Sequence, residues 1–464
     1  MRYQNYFDAV DLPAIRRDYP IGEAFMRRFG GMSRDELRGI QNERFLKVLA
    51  FAWKVPFYRR RWGEAGIEPG DIRSLDDIAK LPAFSKSDLM ESVDQCPPIG
   101  DYHGLDAHPE GLRPQIVIQT TSGTTGKPQP LLFGPKSREI ENALLARIYL
   151  LQGMRQDDVV HSVYGFGMVN GGHYIRETVV HWIGAQLFSA GTGVETRSAQ
   201  QVALMRDFKA TVLVGFGDFI KRLAEVAREN GIEPGRDIRL RMISGHLGPD
   251  GGQPLSDAWG GCEVYGWYGV GDTGLIAGEG PERSGMHVME DAHYLELAHP
   301  DTGAPVGHRE LGDMICTCLF KDDIFPIIRF NSHDVSEELA GMSPLGLPFR
   351  RILGFLGRSD NMVKLRGINV YPTAIGALLG AERSDFAGEY ICKVERVGRH
   401  EEMTVMVEVR TEPSDALRQQ YEEILRIRLG VAIKVAFARP GELNELTGVE
   451  KRQKPIRLID KRKA

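Results

Sequence analysis

Thr120-Thr121-Ser122-Gly123-Thr124-Thr125-Gly126-Lys127-Pro128 is a stretch crowded with hydroxyls and glycines, set between two apolar runs. Its composition suits phosphate. Gly123 and Gly126 can take positive φ and let the backbone approach a ligand, while Thr121, Ser122, Thr124 and Thr125 offer hydroxyl donors and Lys127 adds a charge. The string is not a P-loop. Two residues rather than four separate its glycines, and Pro128 supplies neither an N–H nor a hydroxyl and disfavours running straight on into a helix. Gln115 to Thr120 alternates apolar and polar residues and Pro130 to Phe133 is apolar, which predicts strand, loop, strand. A flexible Ser/Thr/Gly connector is the competing reading of the same residues.

The chain has 464 residues, enough for two or three domains, with 42% hydrophobic and 26% charged residues. Acidic residues outnumber basic ones, 63 to 58, and the net charge of −5 argues against nucleic acid or anionic membrane as a partner. The first residues carry no basic-then-apolar leader and no stretch approaches the roughly 18 apolar residues of a membrane span, so a cytoplasmic protein is expected. Five cysteines, at 96, 262, 316, 318 and 392, form no disulfide framework. Cys316-Thr317-Cys318 puts two sulfurs on one face of an expected strand, with His287 in sequence reach as a third ligand for structural Zn²⁺. Buried cysteines acting as small apolar residues is the alternative.

Along the chain, Ser33 with Glu36 reads as a capping box opening a helix that Pro56 ends, and Ser74 and Ser85 mark further helix starts. After the loop, Lys136 to Leu151 reads as a helix and Asp158 to Tyr164 as a strand. In Tyr164-Gly165-Phe166-Gly167, aromatics alternate with glycines, giving a flat apolar wall and close backbone approach that suit a small or aromatic acid; a tightly packed core turn is the rival. Strands are expected over Val180 to Ser189 and Ala210 to Gly215, with helices over Gln200 to Phe208 and Asp218 to Asn230, so a mostly parallel sheet follows. Asp272 sits in a glycine-rich turn after a strand. Ile324 to Phe330 reads as a strand with Asp334 just past its end, placed to accept hydrogen bonds from ribose hydroxyls. At Gly357-Arg358-Ser359-Asp360 the organisation changes, giving a boundary between residues 1–357 and a small α+β domain over 358–464.

These residues together resemble the acyl-adenylate-forming enzymes, most of all the phenylacetate–coenzyme A ligase branch, over nearly the whole chain. Ser122 to Pro128 matches the phosphate-loop signature of that family, Arg358-Ser359-Asp360 its hinge and Gly303 to Asp334 its central strands. The resemblance implies a large α/β adenylation domain with mostly parallel sheets and a small mobile C-terminal domain. It implies ATP, Mg²⁺ and coenzyme A as cofactors, a carboxylic acid as substrate, an acyl-AMP intermediate, and, from branch relatives, a homodimer.

Carried onto this sequence, the family roles place Thr121 to Lys127, Gly245, Tyr268, Gly269, Asp334 and Arg358 at ATP and Thr124 and Asp272 at Mg²⁺. Tyr164, Phe166, Gly167, Gly215, Phe216 and His246 would line the acyl pocket, Asp360 would be the hinge and Gly367 would approach the coenzyme A thiol. Lys454 would bridge the attacking carboxylate and the α-phosphate. Three positions depart from the branch. Tyr268-Gly269-Val270-Gly271-Asp272 has a shorter acid than the usual Glu, Ser244-Gly245-His246 replaces Gly-Ala-Glu, and Val214 to Asp218 alters the preceding pocket turn, so an acid other than phenylacetate is expected. Transfer to a carrier-protein thiol or an amine is the enzymatic alternative, and a ligand-binding protein without turnover is the non-enzymatic one.

Overall fold

A computed structural model describes residues 4–109, 112–121, 128–247, 252–366, 368–397, 400–449 and 455–463. Ser122, Gly123, Thr124, Thr125, Gly126, Lys127, Gly367 and Lys454 lie outside them. The chain divides into two compact units: one comprises residues 1–160, 166–187 and 267–354, the other residues 161–165, 188–266 and 355–464.

In the first unit the helix Arg34–Ala52 opens with the expected capping box, Ser33 and Glu36 each bonding the other's backbone N–H. Pro56 does not merely end it. It is the first residue of the next helix, Pro56–Glu64, because a proline at that position has no N–H to leave unsatisfied. The strands Val117–Thr120 and Pro130–Phe133 pair antiparallel, as the flanks of the phosphate loop require. Pro135–Leu151 is a helix buried on nearly every side. Its Arg147 is fully buried, 2.8 Å from Asp291, which Arg44 approaches from the other side at 3.3 Å. Of the strand expected over Val180 to Ser189, the stretch Gln186–Ser189 is a strand, whereas residues 180–183 belong to a π-helical turn, Thr178–Ile183, that continues Asn170–Glu177. Thr178, Val179 and Ile183 are buried there, so tertiary packing overrides their β-branched preference, and Gly184 at φ 81° ends the turn.

Most strands of this unit run in the order His293–Ala298, Leu311–Cys318, Phe330–Leu339, Arg351–Ile352, Met286–Val288, Gly274–Glu279 and the end of Glu263–Val270, each antiparallel to the next, while the short strand Phe84–Ser85 pairs parallel with Phe330–Leu339. Residues 324–328 are not a strand; strand structure begins at Phe330. Asp334 therefore lies inside a strand, where the register against Leu311–Cys318 shifts between Asp313 and Ile315. Such an irregularity bends the strand and re-aims side chains.

The second unit holds the parallel part. Val212–Phe216 pairs with Met242–His246, which pairs with the start of Glu263–Val270, and the helices Ser198–Asp207 and Gly217–Glu229 pack apolar faces on Leu213, Ile243 and Trp259. Its remaining residues, 355–464, form a four-stranded sheet in the order Lys434–Ala438, His400–Val409, Phe386–Val397, Leu458–Asp460. The helices Ile375–Glu382 and Asp415–Leu429 close a core of Leu379, Tyr390, Val405, Tyr421 and Leu425. Among the described residues no helix is long and apolar enough to cross a membrane.

Candidate active site

In the first unit the foot of the phosphate loop is a small polar knot. Thr121 N–H donates to the Gln129 carbonyl at 3.0 Å, and Thr121 Oγ1 accepts from Gln129 N–H at 3.2 Å and from Lys86 Nζ at 3.3 Å. Thr120 N–H bonds the Met168 carbonyl at 2.7 Å, which ties the loop to the aromatic–glycine stretch. Gln129 Nε2 donates to Asp272 Oδ1 at 2.5 Å, while Gln129 Oε1 is buried with no hydrogen-bond partner among the described residues. Asp272 occupies the turn between Glu263–Val270 and Gly274–Glu279 and is only 6% exposed. Burial pushes its carboxyl up to about 6, against the opposing pull of the Gln129 bond and the Lys321 and Lys86 charges. Lys321 is itself buried and lies 2.5 Å from the Glu141 carboxylate. Burial opposes its charge, and Glu141 more than offsets this, leaving the lysine above its ordinary value. A buried carboxylate, an unpartnered amide oxygen and a hydroxyl are hard oxygen donors, the type Mg²⁺ takes.

Tyr268 and Asp334 meet in the same unit. The Tyr268 hydroxyl donates to Asp334 Oδ2 at 2.8 Å and lies 3.3 Å from Ser332 Oγ, which also accepts from Asp334 N–H at 3.1 Å. His333, at φ 57°, carries the strand through this bend. Burial, followed by the Asp334 charge, pushes the Tyr268 phenol well above its usual range, so it stays protonated and donates.

The expected acyl-pocket residues divide. Phe166 and the exposed Gly167 lie in the first unit, where His173 Nε2 is 3.0 Å from the Phe166 carbonyl and 3.1 Å from that of Gly167. Tyr164, Gly215, Phe216 and His246 come together in the second. Phe216 and His246 stack, with ring centres 4.9 Å apart and planes 18° from parallel, and Tyr164 meets Phe216 edge-on at 5.1 Å. Tyr164 Oη donates to the Gly215 carbonyl at 3.2 Å and is 2.9 Å from His246 Nδ1. A phenol has one hydrogen, so both contacts are satisfied when His246 Nδ1–H donates to Tyr164. A Cβ at Gly245 would stand 1.8 Å from the Gly215 carbonyl oxygen, which excludes the alanine of the family pattern from this position.

Arg358 and Asp360, expected at the nucleotide and the hinge, hold each other through two bonds of 2.8 and 2.6 Å. The zinc reading is corrected in its histidine. His287 bonds Ser343 Oγ at 2.6 Å, whereas His293 pairs across the strands with Cys318 and lies with Cys316 and Cys318 in a buried group whose ligand atoms are all within 4.8 Å. That is three donors of the four a structural zinc takes. The sequence reading also missed Lys86, Gln129, Lys321 and Glu141. Lys86 was legible only as a helix start, and only strand pairing and helix burial show the others near the carboxylate.

Residues 367–462 match the AMP-binding enzyme C-terminal domain family. The chain is 28% identical over 457 residues to the phenylacetate–coenzyme A ligase of Aromatoleum evansii, covering 93% of this chain and 96% of the relative. It is 29% identical over 461 residues to that of Thermus thermophilus, covering 93% and 98%. A crystal structure of 2-hydroxyisobutyryl-CoA ligase in the postadenylation state with R3-HIB-AMP matches at TM-score 0.81 and 28% identity, covering 94% of this chain and 91% of the other. The same ligase in the thioesterification state, with 2-HIB-AMP and CoA, matches at 0.66 and 28% identity, covering 94% and 92%. The fold is that of an adenylate-forming acid–thiol ligase. Within that superfamily the chain is similar, over nearly its whole length, to the phenylacetate–coenzyme A ligase-like branch.

Proposed function

We propose that this ligase activates a small organic acid, aromatic or aliphatic, with Mg·ATP and passes the acyl group to coenzyme A. In the first step a carboxylate oxygen attacks the α-phosphorus as the bond to pyrophosphate breaks. In the second the thiol sulfur attacks the acyl carbon, AMP departs on its oxygen, and the thiol proton goes to solvent. Two anions must meet in the first step, so it depends on cations and donors around phosphorus. The loop from Thr121 to Lys127 is assigned to the phosphates, Tyr268, Gly269, Gly245 and Arg358 to the nucleotide, and Asp334 to the ribose hydroxyls. Lys454 is assigned to the junction of carboxylate and α-phosphate. Asp272 and Thr124 would hold Mg²⁺, which supplies neutralising charge to the phosphate oxygens when bound.

The observation that carries this reading is the buried Asp272 carboxylate, gripped by Gln129 at the foot of the phosphate loop with Lys321 and Lys86 in its field. Residues 1–357 would be the adenylation domain and 358–464 a mobile domain turning near Asp360, with Gly367 brought to the thiol. The matched family over 367–462 supports that boundary. The stacked Phe216–His246 pair and Tyr164 would face the acyl group, and His246 in place of the family's Glu supports an acid other than phenylacetate. The test is carboxylate-dependent pyrophosphate exchange over a panel of aromatic and short aliphatic acids, followed by acceptors. Exchange with no acid would end the proposal, and acylation of a carrier-protein thiol or an amine in preference to coenzyme A would change its second half.

A further inference from the structure

Arg457 stands three residues beyond Lys454, at the approach to the strand Leu458–Asp460. Its side chain is 9% exposed and its planar fork is shared between two parts of the second unit. One terminal nitrogen donates to the Glu389 carboxylate and, at 2.8 Å, to the Tyr390 carbonyl, and the guanidinium lies 4.5 Å over the Tyr390 ring. The other donates to Asp218 Oδ2 at 2.8 Å. Glu389 and Tyr390 belong to the C-terminal sheet. Asp218 is the second residue of helix Gly217–Glu229 and lies two residues past Phe216, the ring that stacks on His246. Close by, Lys221 of the same helix covers Gly388, where a Cβ would stand 2.3 Å from Lys221 Nζ.

The two halves of this contact differ in strength. Glu389 and Tyr390 hold Arg457 from within its own sheet, in a setting 9–11% exposed, whereas the Asp218 side chain is 44% exposed. If the C-terminal domain turns, the bond to Asp218 is the one that breaks, and Arg457 travels with Lys454.

We propose that the Arg457–Asp218 ion pair is a latch that seats the C-terminal domain on the acyl-pocket turn for adenylation and opens for thioester formation. Asp218 is a positioning residue: it acts through Arg457 on the segment that carries Lys454. The inference rests on the proposed function and adds a residue for which neither the loop nor the hinge accounts. With Asp218 44% exposed and screened by water, the pair suits a reversible contact that can be broken in each turnover.

The test compares half-reactions in the full-length chain. Asp218→Asn keeps the size of the side chain and removes its charge at a half-exposed position. Pyrophosphate exchange is expected to fall about fivefold, as a contact of this class allows, while coenzyme A acylation from synthetic acyl-AMP is unchanged or faster. Asp218→Glu is expected to restore exchange. Raising salt from about 0.05 to 0.5 M should narrow the gap between wild type and Asp218→Asn. Equal losses in both half-reactions, no loss in either, or failure of Asp218→Glu to restore exchange overturns the latch. If the wild type exchanges pyrophosphate with no acid, the proposed function falls first and the latch with it. If the wild type exchanges and Asp218→Asn does so equally well, the latch alone falls.

Discussion

Asp272→Asn should make the nucleotide-free protein more stable and a worse enzyme. The folded state raises this carboxyl from 3.8 to about 6 because the side chain is buried, and the helping Gln129 bond and lysine charges do not make up the loss of water. Between those values the folded chain binds more protons than the unfolded one, so stability falls as pH rises through them and the full cost is present above pH 6. The shift of a little over two units corresponds to about 3 kcal/mol at neutral pH. Asparagine is neutral and nearly isosteric, and its carbonyl can still accept from Gln129 Nε2. Its new N–H₂ has the unpartnered Gln129 Oε1 as an acceptor. Scanning calorimetry at pH 7.5 without Mg²⁺ or nucleotide should therefore show the midpoint of the affected unit rising by roughly 5–10 °C. The gain should shrink towards pH 4, where the wild-type carboxyl is protonated. In the same preparation, pyrophosphate exchange should need more Mg²⁺, since a ligand charge has been removed. A midpoint that is unchanged or lower at pH 7.5, a gain undiminished at pH 4, or an unaltered Mg²⁺ requirement would each refute a part of this reasoning.

Other outcomes follow from single contacts. Lys454→Ala should lower adenylation by well over tenfold while a ready-made adenylate is still passed to coenzyme A; equal loss in both steps would remove the lysine from its role. His161 is buried with Nε2 3.1 Å from Gln201 Oε1, and burial lowers its value from 6.5 to about 4, so it stays neutral when folded. The unfolded chain then binds the extra proton, and stability should drop by about 3 kcal/mol as pH falls from 6.5 to 4; His161→Asn should flatten that part of a urea-midpoint profile. Gly245→Ala forces a Cβ to 1.8 Å from the Gly215 oxygen and should lower the midpoint together with the yield of folded protein. Tyr164→Phe leaves His246 Nδ1 without its phenol partner and should change the ranking of acids in the exchange panel more than the Michaelis constant for ATP.

What the sequence made legible was local. Ser33 with Glu36, Ser74 with Asp77 and Ser85 with Asp88 mark helix starts because a cap is completed within one turn, and all three caps are present. The hairpin around the phosphate loop was equally plain, since alternation and a proline-bounded apolar run are both short-range signals. The first part of the strand expected over Val180 to Ser189 misled for the converse reason: Val180 and Ile183 favour strand by type, yet the burial of Val179 and Ile183 in a helical turn is decided elsewhere in the chain.

The candidate site divides along the same line. Asp272 could be picked from its glycine-rich turn, but its character comes from Gln129, 143 residues away in the chain, and from the field of Lys321, itself set by Glu141. The zinc reading took His287 from sequence reach, whereas the histidine beside Cys316 and Cys318 is His293, brought there by the register His293↔Cys318, and register is not written in spacing. Asp334 was expected past a strand end and sits within a strand, where a shift in pairing gives it the freedom that an end would have given. Motif residues thus identified which chemistry to look for, whereas the groups that set its charge balance are joined by pairing over long separations. In a fold that keeps its loops and changes its pocket, those unsigned partners are where a change of acid has to be accommodated. His246 shows this: a family Glu becomes an imidazole whose Nδ1 lies 2.9 Å from the hydroxyl of Tyr164, 82 residues earlier.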